Sequence, residues 1–569
     1  MNDTKIRKKY KNPPNLTDYE KTYRTFDWKT YDFGIPKFPG GKMNAAYWAI
    51  DYNAGNQRKN KVALYWQDET GLKIKYTFLE LSLLSNRFAN YLKSLGVERS
   101  DRVFFFLPRV PELYYGFLGT LKIGAIAGTM FSAFGPQALL DRLSNSKAKI
   151  LITNNDLLPR VNEIRKKLVH LEKIVLVEDL ALELAKQVDT FKIAQMDPDE
   201  PAFMLYTSGT TGKPKGVIHS HKAIYVEHLT AKWVLDIHDE DVYWCTADPG
   251  WVTGIAYEIL GSWSNGASSL IYSGRFDPAT WYQLIQDYKV NVWYTAPTAI
   301  RMLAASDKKL VGKYDLSSLR HLASVGEPLN PEAVFWGIKA IGLPFHDNWW
   351  QTETGGILIA NYPCLDIKPG SMGKPIPGVV ADIVNDKGEV LKEKQIGNLA
   401  IKPGWPSMMK TIWLRPHKYQ KYFVTNKGKK WYLSGDLAYK DKDGYFWFVG
   451  RADDVIKTSG ERVGPFEVES SLLECQEVAE TGVIGKPDPL RGEIIKAFVV
   501  LKPGFKGSDK LIQMLQQHVK THLAGHAYPR EIEFIERLPK TRSGKIVRRY
   551  LKAKELGLPL GDTSTLEEY

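Results

Sequence analysis

Cysteine is scarce in this 569-residue chain, which contains only Cys245, Cys364 and Cys475. The three thiols lie far apart and none belongs to a CxxC pair, so the sequence offers neither a zinc-ligand pattern nor a disulfide framework. This usage is typical of a reducing compartment. A secretory signal is also missing, because Met1–Tyr10 has no apolar core. We therefore expect a cytoplasmic protein.

The sequence also lacks an uninterrupted apolar run of membrane-spanning length. The most apolar stretch, residues 114–134, contains Lys122 and four glycines. A buried helix followed by a strand explains such a stretch better than a membrane span does. We expect no membrane partner.

Basic residues are not gathered into blocks, although the formal net charge is +13. A basic protein can bind nucleic acid, an anionic membrane or phosphorylated small molecules. Dispersed lysines and arginines are explained mostly by an ordinary solvated surface. The positive charge that such a surface does not explain favours phosphorylated small molecules as ligands. We expect no nucleic-acid partner.

The composition, 44% hydrophobic and 25% charged, is that of a soluble globular protein, and the length implies more than one domain. Apolar residues recur at helical spacing over 79–95. Continuous apolar runs predict buried strands at 103–107, 149–153, 173–177 and 290–294. Strands separated by helices predict an α/β fold with mostly parallel sheets.

The pattern changes near Gly450, and this change predicts the domain boundaries. We expect an irregular arm over 1–45, a large domain over 46–452 and a small α+β domain over 453–569. Signals for a strand at 494–501 and a helix at 511–523 lie in the small domain. The charged junction, residues 451–454, suits a hinge, although an ordinary surface turn would look similar.

The most informative stretch reads YTSGTTGKPKG over residues 206–216, between two strand-like runs. Its glycines allow tight turns that expose backbone N–H groups, while its hydroxyls and lysines add donors and positive charge. Such a loop suits a polyphosphate, and its hydroxyls can share in holding Mg²⁺. It is not a Walker A loop, because only two residues separate Gly209 from Gly212 and Pro214 follows Lys213. A mobile surface loop is the weaker interpretation.

Further segments place chemically useful residues near the ends of strand-like runs, where α/β sheets bind ligands. They are Trp251–Gly254 (WVTG), Val325–Pro328 (VGEP), Asp347–Gly355 (DNWWQTETG), Tyr432–Asp436 (YLSGD), Phe446–Arg451 (FWFVGR), Lys457–Gly464 (KTSGERVG) and Pro539–Arg549 (PKTRSGKIVRR). Taken alone, the first two are equally explained as packed turns, and the last as a nucleic-acid or anion patch. Adjacent tryptophans beside a carboxylate are unusual for a simple core strand.

Together these segments resemble the adenylate-forming enzymes, the superfamily of acyl-CoA synthetases, peptide-synthetase adenylation domains and luciferases. The resemblance covers approximately residues 61–549. Within the superfamily, the motifs narrow the match to the AMP-forming acetyl-CoA synthetases. It implies a β-barrel-like subdomain in the large domain and a mobile small domain. It also implies ligation of acetate to CoA through an acetyl-adenylate, with ATP, Mg²⁺ and CoA as cofactor and co-substrates.

The resemblance assigns roles at the nucleotide. Residues 326–328 face adenine, Asp436 binds the ribose hydroxyls, and Arg451 the ribose–phosphate region. Glu353 and Thr210 hold Mg²⁺, and Glu353 counts as catalytic. The full ATP set is Thr207, Ser208, Gly209, Thr210, Thr211, Gly212, Lys213, Lys215, Gly326, Glu327, Pro328, Asp347, Asn348, Trp349, Trp350, Gln351, Thr352, Asp436, Arg451 and Arg462.

The resemblance also assigns an acyl pocket, a CoA path and a hinge. In this pattern Trp350 closes the carboxylate pocket against long acids, because a densely packed interior cannot shift to make room for a longer chain. For Trp349, packing in the core is an equally good explanation. Asp453 falls at the hinge. The acyl pocket is assigned to Trp251, Val252, Thr253, Val325 and Trp350, and CoA binding to Thr253, Ser459, Gly460 and Lys520.

Lys545 is, by the same resemblance, the catalytic lysine of adenylation. A carboxylate attacking an anionic phosphate builds negative charge that a positioned ammonium offsets. Acetylation would remove that charge. We therefore expect Lys545 to be a regulatory point for an acetyltransferase and a deacetylase.

Several positions depart from the acetate pattern. Asn348 stands where threonine is common, and Cys475 where many relatives have a histidine near a secondary metal, so we expect no second metal. The loop at 460–466 is closer to that of longer-chain acyl-CoA synthetases. A propionate or longer-chain enzyme therefore stays open, and a non-catalytic nucleotide- or nucleic-acid-binding protein is the alternative of another class.

Overall fold

The computed structural model describes residues 4–7, 10, 12–207, 214–307, 309–458, 461–541, 546–560 and 566. Its architecture is α/β, as predicted, with two seven-stranded sheets in the larger part of the chain. Among the described residues, no helix is both long and apolar enough to cross a membrane. The three cysteines are free thiols.

The first sheet has six strands in parallel and one antiparallel edge strand. Its strands, in spatial order, are Phe345–His346, His321–Ser324, Val292–Thr295, Val242–Cys245, Ser268–Tyr272, Val62–Gln67 and Lys73–Thr77. Both faces are buried, which explains the continuous apolar runs seen in the sequence.

The second sheet combines five parallel strands with an antiparallel pair at one edge. Its strands, in spatial order, are Thr411–Ile412, Lys215–Ser220, Pro201–Thr207, Ile126–Met130, Arg102–Phe106, Ile150–Thr153 and Lys173–Leu176. Strands were correctly predicted at 103–107, 149–153 and 173–177, each to within two residues.

Antiparallel strands form the rest of the β structure. The predicted barrel-like subdomain is a five-stranded half-barrel of Ala381–Val384, Gly397–Ile401, Lys429–Lys440, Phe423–Asn426 and Phe446–Arg451. A small sheet joins Asn348–Trp349, Ile359–Ala360 and Lys374–Pro375. The C-terminal sheet contains Glu461–Val463, Ile456–Thr458, Gly492–Leu501, Val478–Asp488 and the parallel strand Glu531–Phe534.

Helices cover the sheets, and their ends follow local sequence rules. Phe78–Ser94 begins at a capping box in which Thr77 and Glu80 satisfy each other's backbone groups. Gly124 ends the next long helix with a φ of 81°, a left-handed conformation that glycine adopts without strain. The α-helices are Tyr19–Thr25, Tyr52–Ala54, Phe78–Ser94, Pro111–Ile123, Pro136–Ser146, Leu158–Asn162, Val177–Ala185, Ile224–Trp233, Gly261–Ser264, Pro278–Tyr288, Pro297–Ala305, Pro331–Ile341, Pro416–Gln420, Pro465–Leu473, Asp509–His522 and Arg548–Glu555.

The N-terminal arm is more ordered than the sequence predicted. It contains the helix Tyr19–Thr25, whose first turn is capped by the Asp18 side chain. The buried Tyr19 hydroxyl donates to the Pro375 carbonyl at 2.7 Å. The backbone N–H of Asn15 donates to Asp236 at 2.8 Å. Tertiary contacts of this kind stabilise a helix too short and polar to be read from periodicity.

Candidate active site

The predicted phosphate loop connects two paired strands of the second sheet. Pro201–Thr207 and Lys215–Ser220 run antiparallel, and Thr207 lies directly opposite Lys215. The strands predicted on either side of this stretch are therefore confirmed. The predicted ligands at 208–213 lie outside the described residues, and only Thr207 and Lys215 of the loop set are placed.

Basic side chains gather beside the ends of this loop. Arg415 Nη1 donates to the Pro214 carbonyl at 3.5 Å, and the Lys215 ammonium lies 5.8 Å from the Tyr422 ring centroid. Desolvation and the charges of Arg415 and Lys215 lower the pKa of Lys418. Within the described ranges, no carboxylate forms an ion pair with Lys215, Arg415 or Lys418. Such uncompensated positive charge favours a polyanionic ligand.

The predicted ribose carboxylate, Asp436, is held rigidly by three donors. Arg451 Nη1 donates to it at 2.7 Å, and the Trp349 indole and the Gln351 amide each donate at 2.9 Å. Asp436 and Arg451 lie directly opposite each other on paired strands of the half-barrel. The Asp436 charge raises the pKa of Arg451. Trp349 is therefore a hydrogen-bond partner of the site as well as a core residue.

Glu353 lies in a short 3₁₀ turn beside this cluster. Tyr422 donates its hydroxyl to Glu353 Oε1 at 3.1 Å, and its ring stacks on Tyr432 at 5.6 Å. In the part of the chain that the structure describes, no lysine or arginine forms an ion pair with Glu353. A carboxylate with only a neutral partner fits a hard cation such as Mg²⁺. The second predicted metal ligand, Thr210, lies outside the described residues.

The turn predicted to face adenine has the backbone that such a turn needs. Gly326 has a φ of 94°, in the left-handed region. The Glu327 carboxylate is already engaged, since it pairs with Arg301 at 2.9 Å and accepts from Thr298 at 2.7 Å. The turn can therefore meet a ligand through its backbone and Pro328 rather than through the Glu327 charge.

Asp347 is a buried carboxyl at the end of the first sheet. Its oxygens accept from the backbone N–H groups of Leu329 and Asn348 at 3.2 and 3.0 Å. Burial raises the pKa of Asp347 to about 8, and these two hydrogen bonds oppose that rise. The side chain is therefore mostly neutral at pH 7 and does not repel a nucleotide.

The raised pKa of Asp347 predicts a pH-dependent stability. The ordinary pKa of an aspartate is about 3.9, so between that value and about 8 the folded protein binds the extra proton. Wild-type stability then falls as pH rises through this window, by at most about 1.4 kcal/mol per pH unit. Asp347→Asn removes this titration, and its free energy of urea unfolding relative to wild type should rise from pH 5.5 to pH 8.

Asp315→Asn is the matched control for this measurement. Hydrogen bonds from Ser317 and the charge of Lys289 lower the pKa of Asp315 to about 2, so it stays ionised across the same window. Its pH dependence should run parallel to that of wild type. Parallel curves for Asp347→Asn and wild type would contradict the assignment of a neutral Asp347.

The residues predicted to line the acyl pocket lie at the meeting of two apolar clusters. Val252 belongs to one buried cluster and Val325 to another, and Trp350 packs against both. Thr253 is buried beside Val252. Trp251 packs instead in a third cluster, where its ring meets Phe131 edge-on at 4.5 Å.

The predicted residues of the small domain are only partly placed. Lys545, Ser459 and Gly460 lie outside the described residues, and Arg462 is placed only as part of the strand Glu461–Val463. Lys520 is exposed on the helix Asp509–His522, with its ammonium 5.7 Å from the Tyr528 ring centroid. The predicted hinge residue Asp453 lies in an exposed turn that follows Arg451.

Two family models match separate parts of the chain. Residues 51–413 match the family described as AMP-binding enzyme, and residues 467–545 match the AMP-binding enzyme C-terminal domain. The chain belongs to the AMP-binding enzymes. This membership accounts for the Gly- and Thr-rich sequence that follows Pro201–Thr207, the Asp436–Arg451 pair and the packing of Trp350 against two apolar clusters.

Among AMP-binding enzymes, the chain is similar to curated acetyl-coenzyme A synthetases. It is 56% identical to that of Bacillus subtilis over 97% of this chain and 98% of the relative. It is 43% identical to that of Methanothrix thermoacetophila over 93% of this chain and 85% of the relative. The predicted membership of the AMP-forming acetyl-CoA synthetases is confirmed.

Solved structures of AMP-binding enzymes share the fold. The anthranilate CoA ligase AuaEII in complex with anthranoyl-AMP superposes with a TM-score of 0.84 at 31% identity, covering 92% of this chain and 99% of that one. The Brucella canis acyl-CoA synthetase gives a TM-score of 0.73 at 32% identity, covering 95% of this chain and 99% of that one. The predicted fold class is confirmed.

Sequence reasoning missed several residues of this region. Tyr422, Arg301 and Tyr294 contact predicted site residues, yet each contact joins positions at least 26 residues apart in the chain. The basic residues after the strand Thr411–Ile412, which include Arg415 and Lys418, were a visible signal of charge near the loop.

Proposed function

We propose that this protein ligates acetate to CoA through an acetyl-adenylate, giving acetyl-CoA, AMP and pyrophosphate. The observation that carries the proposal is the Asp436–Arg451 pair, which is bonded by the neighbours of Trp350, Trp349 and Gln351, while Trp350 packs between the Val252 and Val325 clusters. The similarity to acetyl-coenzyme A synthetases over nearly the whole chain supports the same reaction. ATP, acetate and CoA are the substrates.

In the first half-reaction, ATP lies along the edge formed by the half-barrel and the first sheet. Asp436, fixed by its three donors, accepts hydrogen bonds from the ribose hydroxyls, and Arg451 donates hydrogen bonds to ribose and phosphate oxygens. The loop at 207–215, with Arg415 and Lys418 nearby, receives the β- and γ-phosphates. The acetate carboxylate attacks the α-phosphorus, and pyrophosphate leaves.

Mg²⁺ would be held by Glu353 and, by resemblance, Thr210 together with phosphate oxygens of ATP. When bound, it supplies positive charge to the departing pyrophosphate. The described residues contain no cluster of three or more acidic, cysteine or histidine side chains placed to hold a metal by themselves. An ion that arrives with ATP needs only the one or two protein oxygens proposed here.

The Glu353 assignment predicts a specific change in metal dependence. Glu353→Gln keeps the size and the Tyr422 contact but removes the charge. We expect the Mg²⁺ concentration for half-maximal ATP–pyrophosphate exchange to rise roughly tenfold or more. Thioester formation from added acetyl-AMP should be unchanged, because no pyrophosphate is involved.

Glu389→Gln, an exposed change in the half-barrel, is the control for the Glu353 variant. It should leave the Mg²⁺ curve of exchange at its wild-type position. An unshifted curve for Glu353→Gln would remove this residue from the metal site.

In the second half-reaction, the CoA thiolate attacks the acetyl-adenylate and releases AMP. We propose that the small domain turns about Asp453, withdraws Lys545 and brings the segment with Ser459 and Gly460 to the site, where Thr253 and Lys520 also meet CoA. Two loops on one small domain would then serve one site in turn. An acetyltransferase and a deacetylase acting on Lys545 in the cytoplasm are the proposed regulatory partners.

Carboxylate-dependent ATP–pyrophosphate exchange, measured from acetate to octanoate with and without CoA, tests the proposed function. Exchange with acetate but not hexanoate, and acetyl-CoA formation once CoA is added, is the expected result. Equal or greater exchange with hexanoate would contradict the acetate assignment. Salt-sensitive RNA or DNA binding without any exchange would contradict catalysis altogether.

A further inference from the structure

Trp350 is held in place by a hydrogen-bonded chain that reaches into the first sheet. Its indole Nε1 donates to the Tyr294 hydroxyl at 3.3 Å. That hydroxyl lies 2.9 Å from Asn348 Oδ1, and Asn348 Nδ2 donates to the Ser324 carbonyl at 2.8 Å. We call Trp350, Tyr294 and Asn348 the indole brace.

The direction of each hydrogen bond in the brace is fixed by chemistry. An indole N–H can only donate, so the Tyr294 oxygen accepts from it and directs its own hydrogen to Asn348. The Asn348 amide then has its oxygen toward Tyr294 and its nitrogen toward a carbonyl that can only accept. Tyr294 is fully buried and Asn348 is 6% exposed, so water cannot readily replace these partners.

Aromatic packing supports the brace from the other side. The Tyr257 ring meets the Trp350 indole edge-on, with centroids 5.1 Å apart and an angle of 83°. Tyr257 is itself fixed, because its hydroxyl contacts Thr230 and accepts from the Ile357 N–H, both at 2.7 Å. The partly exposed indole thus has one hydrogen-bonded edge and one packed face, which define a single orientation.

The brace also connects Trp350 to the strand that immediately precedes Val325. Its last acceptor, Ser324, is followed immediately by Val325, which packs in a cluster that Trp350 also contacts. Tyr294 pairs with Ala323 in the sheet, one residue before Ser324. The distance between Trp350 and Val325 is therefore set by the sheet rather than by the tryptophan alone.

We propose that Tyr294 and Asn348 are positioning residues that set the acid-length limit by fixing the Trp350 indole. The proposal rests on the proposed function, because it names what holds the wall of that same site. Without the Tyr294 hydroxyl, the Trp350 N–H and Asn348 Oδ1 both lose a buried partner, which is unfavourable. The indole then turns toward its exposed side, and the pocket admits a longer acid.

Tyr294→Phe tests the brace, because it removes one oxygen and keeps the ring. We expect the ratio of kcat/KM for propionate to that for acetate to rise roughly tenfold, the order of one methylene of discrimination. Tyr19→Phe is the matched control, since it deletes another buried hydroxyl bonded at 2.7 Å, to the Pro375 carbonyl, which is not a partner of the indole brace. Its ratio should stay at the wild-type value.

A second background separates positioning from general loosening. In Trp350→Gly protein there is no indole to hold, so adding Tyr294→Phe should leave the propionate-to-acetate ratio unchanged. If it raises the ratio there too, the hydroxyl does not act through Trp350 and the proposal is overturned. Asn348→Leu provides an independent test and should raise the ratio in otherwise wild-type protein.

An assay of acetyl-CoA formation by the wild-type protein distinguishes failure of the proposed function from failure of the proposed role of the indole brace. Wild-type protein that makes no acetyl-CoA overturns the proposed function. Active Tyr294→Phe or Asn348→Leu protein with an unchanged ratio, beside wild-type protein that does make acetyl-CoA, overturns only the role of the indole brace.

Discussion

Replacing Lys545 with alanine is expected to lower acetate-dependent ATP–pyrophosphate exchange roughly 10²–10³-fold, the usual loss when one positioned charge-stabilising donor is removed. In its proposed role, the ammonium offsets negative charge that grows as acetate attacks the α-phosphorus. Thioester formation from added acetyl-AMP and CoA should keep its wild-type rate, because no such charge develops there. Acetylated Lys545 should behave in the same way, since acetylation also removes the charge.

The described residues on either side of 542–545 are joined by backbone contacts. Lys540 and Ile546 pair across this segment, and Val547 N–H donates to the Pro539 carbonyl at 2.9 Å, so its two ends are held together. Lys540→Ala is the matched control, because this lysine of the same basic segment pairs with Glu480. Undiminished exchange by Lys545→Ala, or equal loss of both half-reactions, would contradict its proposed role.

Replacing Trp350 with glycine should change the substrate range more than any other single substitution in the pocket. The indole contacts both the Val252 and Val325 clusters, and its removal opens space for several methylene groups. We expect kcat/KM for hexanoate to rise at least about 10²-fold, since hexanoate has more than two methylene groups beyond acetate and each one accommodated contributes about tenfold. Acetate should bind more weakly because it no longer fills the pocket.

Steady-state kinetics over acids from two to eight carbons measures this shift. Trp251→Gly is the matched control: its ring packs on Phe131 in a separate cluster, and its loss should reduce stability without extending the chain length accepted. Unchanged exclusion of hexanoate by folded Trp350→Gly protein would show that another group limits the pocket.

The sequence predicted those parts of the fold that depend on local pattern. The strand Arg102–Phe106 and the helix Phe78–Ser94 follow directly from apolar periodicity. The helix Tyr19–Thr25 was missed, because its stability comes from contacts with residues more than 300 positions away. No pattern in seven mostly polar residues records such contacts.

For the site, residue types were predictable and their partners were not. The resemblance identified Asp436 and Arg451, and the strand register then placed them opposite each other. That Glu327 is occupied by Arg301, and that Trp350 depends on Tyr294, follows only from the three-dimensional arrangement. Tertiary hydrogen bonds join side chains without leaving a spacing that can be read along the chain.

Arg451 also ends the last strand of the half-barrel, and its carbonyl accepts from the N–H groups of Asp454 and Val455 at 3.0 Å each. In the proposed function one residue thus meets the ribose with its guanidinium, while its backbone starts the connection to the C-terminal sheet. Pyrophosphate carries no sugar and would be free to depart early, whereas AMP would stay bound to this residue through both proposed half-reactions. On this assignment, Arg451 alone would set the order in which pyrophosphate and AMP leave.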